Sequence, residues 1–114
     1  MSTTTFIAVF IGTFIAMTLL KNMGKASPQA AKQLVNEGAT LLDVRSPGEF
    51  SGGHVKGAKN IPVQELAHRL KEVPKGKPVV VYCLSGGRSG SAARVLKQAG
   101  YDVCDLGGMR RWPG

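Results

Sequence analysis

The pattern of apolar and polar positions divides the chain into two unlike parts. Residues 5–20, TFIAVFIGTFIAMTLL, are apolar on every face apart from three threonines, whereas the chain after Lys21 shows short periodic runs broken by turn residues. Ser27-Pro28 reads as an N-cap followed by proline in the first helical turn, with Ala30, Ala31, Leu34 and Val35 on one face and Gly38 as the stop. Thr40-Leu41-Leu42-Asp43-Val44 has the character of a buried strand, and Ser46-Pro47-Gly48-Glu49 repeats the capping signature ahead of a short helix. Residues 53–58 are rich in turn formers, Asn60-Ile61-Pro62 admits only a brief strand, and residues 64–73 predict a helix with Leu66 and Leu70 on one face. The strongest strand signal, Pro78-Val79-Val80-Val81-Tyr82, runs directly into Cys83. After a glycine-containing loop, Ala92, Ala93, Leu96 and Ala99 predict a helix over residues 89–99 that Gly100 ends, and residues 103–106 form a last strand. Strands alternating with helices predict an α/β domain with a mostly parallel sheet, on which ligands bind at the carboxyl ends of strands. Cys83 stands at such an end.

The charge-free start of the chain changes this picture only at its edge. As a helix, residues 1–20 would measure roughly 30 Å, enough to cross a bilayer. The basic residues Lys21, Lys25 and Lys32 follow the apolar run instead of preceding it. The expected arrangement is therefore an uncleaved single-pass transmembrane anchor over residues 1–22, with a domain over residues 23–114 facing the cytoplasm. The alternative is a leader cut around Gly24-Lys25-Ala26-Ser27, releasing a soluble domain outside the cytoplasm.

The whole formal charge of +8 falls on residues 21–114, which suits small anions or anionic lipid heads as neighbours. The basic residues are scattered and do not alternate with aromatic ones, so no nucleic-acid platform is expected. Cys83 and Cys104 are the only cysteines, and neither CxxC nor a Cys/His pair at metal-ligand spacing occurs. No metal and no other cofactor is expected.

The candidate chemistry lies in Cys83-Leu84-Ser85-Gly86-Gly87-Arg88-Ser89. A thiol becomes a nucleophile when a helix N-terminus, nearby cations or converging N–H groups lower its pKa. Gly86 and Gly87 allow the backbone to curl into an anion nest, Arg88 adds a charge, and the helix beginning near Ser89 aims its positive end at the same point. Ser85 and Ser89 add hydrogen-bond donors, and Gly90 keeps the first turn slim. Cys104, within a strand, is expected to be a core residue.

At these residues the chain resembles the single-domain rhodaneses. The resemblance covers residues 27–112. It is carried by Leu42-Asp43-Val44-Arg45 with Glu49-Phe50, by Gly53-His54-Val55-Lys56-Gly57-Ala58-Lys59-Asn60-Ile61-Pro62, by the valine strand into the Cys83 loop, and by Gly100-Tyr101, Leu106-Gly107-Gly108 and Trp112. It implies a sandwich with a central five-stranded sheet flanked by helices. It also implies a cycle in which Cys83 takes sulfane sulfur from thiosulfate or a persulfide and passes it to cyanide or a thiol. In that cycle residues 84–88 form the anion-binding loop, and Arg88 attracts the donor. Asp43 and Arg45 resemble a strand-end pair that steadies loops or faces the substrate. His54 orders a turn, Trp112 packs, and the final helix is reduced or missing.

The rival enzyme class, phosphatases and arsenate reductases, has five residues between the cysteine and the arginine. Here there are four, residues 84–87, which make a tighter ring. A further alternative is a persulfide carrier, or a sulfide or redox sensor, docking to a membrane partner.

Overall fold

The computed structural model describes residues 27–114. Ser27 accepts the Ala30 amide at 3.2 Å and so caps helix α1, Pro28–Asn36, with Pro28 in its first turn. Strand β1, Thr40–Asp43, follows, then helix α2, Pro47–Ser51, started by a full capping box between Ser46 and Glu49. Strand β2, Lys59–Asn60, leads into helix α3, Val63–Leu66, and a 3₁₀ turn, Leu70–Glu72. Strand β3, Val79–Cys83, precedes the long helix α4, Gly87–Gln98, and strand β4, Val103–Gly108, ends in a second 3₁₀ turn, Met109–Arg111.

All the strand pairs are parallel, in the order β2-β1-β3-β4. The period of two in β3 decides what each face sees. Val79, Val81 and Cys83 turn to one side, where they pack with Leu42, Ala92, Ala93 and Leu96 beneath α4. Val80 and Tyr82 turn to the other, where they meet Leu41, Cys104, Leu106 and the α1 residues Ala31 and Leu34. A sheet covered on both faces explains why its strands read as almost continuous apolar runs.

Four expectations need correction or a change of extent. The sheet has four strands among the described residues, not five. Ser27 and Pro28 commit the chain to a helix at once, and the connectors between strands are helix and turn, so no further extended segment there reaches an edge. The helix expected over residues 64–73 is broken. After Leu66 the amides of His68, Arg69, Glu72 and Val73 bond three residues back, and the Tyr101 hydroxyl lies 2.8 Å from the Val73 carbonyl and 3.2 Å from that of Leu70. Helix α4 begins at Gly87, two residues before Ser89. Strand β4 runs to Gly108, two residues past the expected 103–106. The expected anchor over residues 1–22 lies outside the described residues, among which no helix is long and apolar enough to cross a membrane.

Candidate active site

Strand β3 delivers Cys83 to the floor of a loop that closes over it. The loop turns at Gly86, whose φ of 112° is a left-handed conformation that a side chain would disfavour. That turn points the Gly86 amide at Cys83 Sγ, 2.9 Å away, and starts α4 directly behind it. The alternation of β3 puts the sulfur on the α4 side of the sheet. A slip of one residue would present Tyr82 there instead.

The electrostatics of the thiol are a contest. Burial pushes its pKa up, but the Ser89 hydroxyl and the amides of Ser89, Gly86 and Ser85 favour the thiolate and leave it below the ordinary thiol range. Ser89 is fully buried, and its hydroxyl also lies 3.0 Å from the Gly86 carbonyl, so it braces the loop it serves. Cys83 itself has no exposed surface, whereas Leu84, Ser85 and Gly87 are exposed.

Behind the loop, β4 is shaped to fit. One extra residue in β4 between the partners of Val81 and Tyr82 forms a bulge, with Gly107 at φ 87° and its amide donating to Asp105 Oδ1 at 2.9 Å. The bulge brings Gly108 into register with Cys83. A Cβ on Gly108 would stand 2.8 Å from the Leu84 carbonyl oxygen, so the loop rests on bare backbone.

Arg88 does not act as a free cation. Its Nη1 and Nη2 donate to Glu49 Oε1 and Oε2 at 2.6 and 3.0 Å, a bidentate fork across 39 residues of sequence. The Arg88 guanidinium, with a smaller contribution from the cap at Ser46, holds the Glu49 carboxyl down at about 2. Glu49 is a site neighbour that sequence reading assigned only to a helix cap. Its place in the Glu49-Phe50 motif was the available signal. The fork ties α2 to the start of α4, and Glu49 offsets the charge with which Arg88 was expected to draw an incoming anion.

Asp43 and Arg45 pair with each other. Asp43 is in register with Tyr82 and therefore lies on the face opposite Cys83. Both residues are buried, and Arg45 donates to Asp43 through its amide at 2.8 Å, Nε at 3.0 Å and Nη2 at 2.7 Å, and to the Gly53 carbonyl at 2.6 Å. The pair steadies the turn after α2. His54 does the same, stacked on Phe50 at 3.7 Å with its Nδ1 2.8 Å from the Phe50 carbonyl. Cys104 sits in the second core cluster, where burial pushes its thiol up to about 11. Trp112 packs on the same cluster.

The family model of the rhodanese-like domain matches residues 27–113. The chain belongs to the rhodanese-like domain family. This rhodanese-like domain is 46% identical over 78 residues to the uncharacterized protein YqhL of Bacillus subtilis, an alignment covering 67% of this chain and 62% of that protein. It is 36% identical over 90 residues to the thiosulfate sulfurtransferase GlpE of Pseudomonas aeruginosa, covering 77% of this chain and 82% of that one. Among solved structures, it superposes on the human single-domain sulfurtransferase TSTD1 with a TM-score of 0.63 at 29% identity, covering 77% of this chain and 93% of that one.

Proposed function

We propose that this rhodanese-like domain is a sulfurtransferase working through Cys83. The observation that carries the reading is the Gly86 amide 2.9 Å from Cys83 Sγ at the N-terminus of α4, which together with Ser89 lowers the thiol pKa despite burial. The Cys83 thiolate attacks the outer sulfur of thiosulfate or of a small persulfide. The donor's S–S bond breaks, sulfite or a thiolate leaves with the electron pair, and the new persulfide anion occupies the amide nest. Cyanide or a thiol then removes the outer sulfur and regenerates the thiolate. The sulfurtransferases GlpE and TSTD1 among its relatives support this reading. The fork with Glu49 also weighs against phosphate-ester chemistry, which would need Arg88 turned into the cradle.

Thiosulfate should add one sulfur to the intact mass of the protein, and cyanide should release it as thiocyanate. Cys83→Ser should abolish both, while Cys104→Ser should retain both. Sulfur transfer by Cys83→Ser would refute the assignment.

The charge-free residues 1–20, followed by Lys21 and Lys25, support a membrane anchor that leaves the domain on the cytoplasmic side. A C-terminal fusion reporter active only outside the cytoplasm would overturn that placement.

A further inference from the structure

The donor cycle leaves a concave feature beside the loop unused. A cleft of about 410 Å³ opens beside the Cys83 loop, lined by Leu84, Ser85, Gly108, Arg110 and Arg111. Ser85 belongs to both places, since its amide faces the thiolate and its outer surface lines the cleft. Leu84 has 52% of its surface exposed and stands out as a large apolar side chain left open to solvent. Arg111 is held at the rim, its Nη1 donating to the Leu106 carbonyl at 2.7 Å. Arg110 is exposed and forms no ion pair with any described residue. Glu49 compensates the loop's own Arg88, so on this side Arg110 offers a charge to an incoming anion.

Size and lining indicate what fits. A single sulfur oxyanion would fill a small part of the cleft and gain nothing from Leu84. Guanidinium groups beside an aliphatic wall instead suit a molecule with a carboxylate and a short apolar stretch.

We propose that this cleft is the acceptor subsite and that it selects thiols carrying carboxylates, with Arg110 making the charge contact and Leu84 the apolar one. The proposal rests on the sulfur-transfer reading of Cys83. The acceptor thiolate attacks the outer sulfur of the Cys83 persulfide. The bond from that sulfur to Sγ breaks, its electron pair returns to Cys83 as thiolate, and the outer sulfur departs as the acceptor's persulfide. Charge and atoms balance without an oxidant or reductant.

The test begins with the full chain loaded by thiosulfate, its persulfide verified by intact mass. Single-turnover discharge is then timed with mercaptosuccinate, which carries two carboxylates, and with thioglycerol, a neutral thiol of similar size, at matched thiolate concentrations. Native protein should favour mercaptosuccinate. Arg110→Ala should reduce the ratio of the two rates about five-fold, the size expected for one exposed charge contact. Arg110→Glu should reduce it further, and Arg110→Lys should restore part of it. Because both thiols are timed on one protein, a general loss of activity cancels from the ratio. A persulfide that forms normally but discharges with an unchanged ratio in Arg110→Ala and Arg110→Glu overturns the subsite alone. If native protein forms no persulfide, the sulfur-transfer reading fails first and the subsite with it.

Discussion

Replacing Gly108 by alanine tests how far the Cys83 loop depends on its support. Gly108 has φ −77° and ψ 144°, a conformation any residue adopts, so the substitution carries no backbone penalty. Its whole effect is steric. The new Cβ would stand 2.8 Å from the Leu84 carbonyl oxygen and 3.7 Å from Ser85 Cα. A carbon rests against a carbonyl oxygen at about 3.3 Å, so the loop must retreat by roughly 0.5 Å. The struck atom is backbone, and no flexible side chain can yield in its place. Overpacking of this kind costs about 1–3 kcal/mol, which should lower the melting temperature by several degrees for a domain of this size. The effect on chemistry should be larger in proportion. The Gly86 amide lies two residues beyond Leu84 and donates to Sγ at 2.9 Å, and donors of this kind act only within about 0.5 Å of their productive place. Loss of one preorganised donor to an anion costs ~10²-fold or more in rate, so sulfur transfer should fall by about 10- to 100-fold and the Cys83 pKa should rise. The assays are thiocyanate formation from thiosulfate and cyanide, and the pH dependence of Cys83 alkylation. Gly90→Ala is the comparison, because its Cβ would meet nothing nearer than Asp105 Oδ2 at 4.0 Å and alanine favours a helix interior. A Gly108→Ala protein with native kinetics and a native thiol pKa would refute the argument that β4 holds the loop in shape.

Two further predictions concern ionisation. Ser89→Ala removes a donor that favours the thiolate, so the acid limb of the pH–rate profile should move to higher pH. Because the folded thiol pKa lies below the ordinary thiol value of 9.0, the thiolate's contribution to stability is fully present above that value and is lost as pH falls through the folded pKa. Ser89→Ala should therefore narrow the stability difference between alkaline and neutral pH, and an unchanged profile would remove Ser89 from the cradle. Glu49→Gln breaks the charged fork with Arg88. Glu49 falls from 4.5 to about 2 on folding, so its contribution is present above 4.5 and is lost as pH falls toward 2. The melting temperatures of variant and native protein should differ above pH 4.5 and converge toward pH 2, and a constant difference would show that the charge is not what the fork contributes.

The residues that determine their surroundings locally were legible in the sequence. Ser27 and Ser46 cap helices through atoms three residues away, the valine run before Cys83 makes a central strand, and Gly86 turns the loop within a few bonds of the sulfur it serves. Such interactions depend on sequence spacing, so the α/β alternation, the cysteine at the strand end and the amides turned toward it could be read without coordinates. Interactions between distant segments could not. Only the tertiary structure pairs Arg88 with Glu49, fits the unsubstituted Cα of Gly108 against Leu84, and gathers Arg110 and Arg111 beside the loop. The broken helix after Leu66 has the same origin, since Tyr101 sits by its carbonyls from another part of the chain. The side of the sheet that Asp43 occupies follows from its register with Tyr82, which one strand alone does not disclose. A short stretch of backbone thus carries both the Cys83 thiol and the donors that favour its thiolate. Which charges around it are spent and which remain open depends on chain packing, because an ion pair is decided by distance in space and not by distance along the sequence.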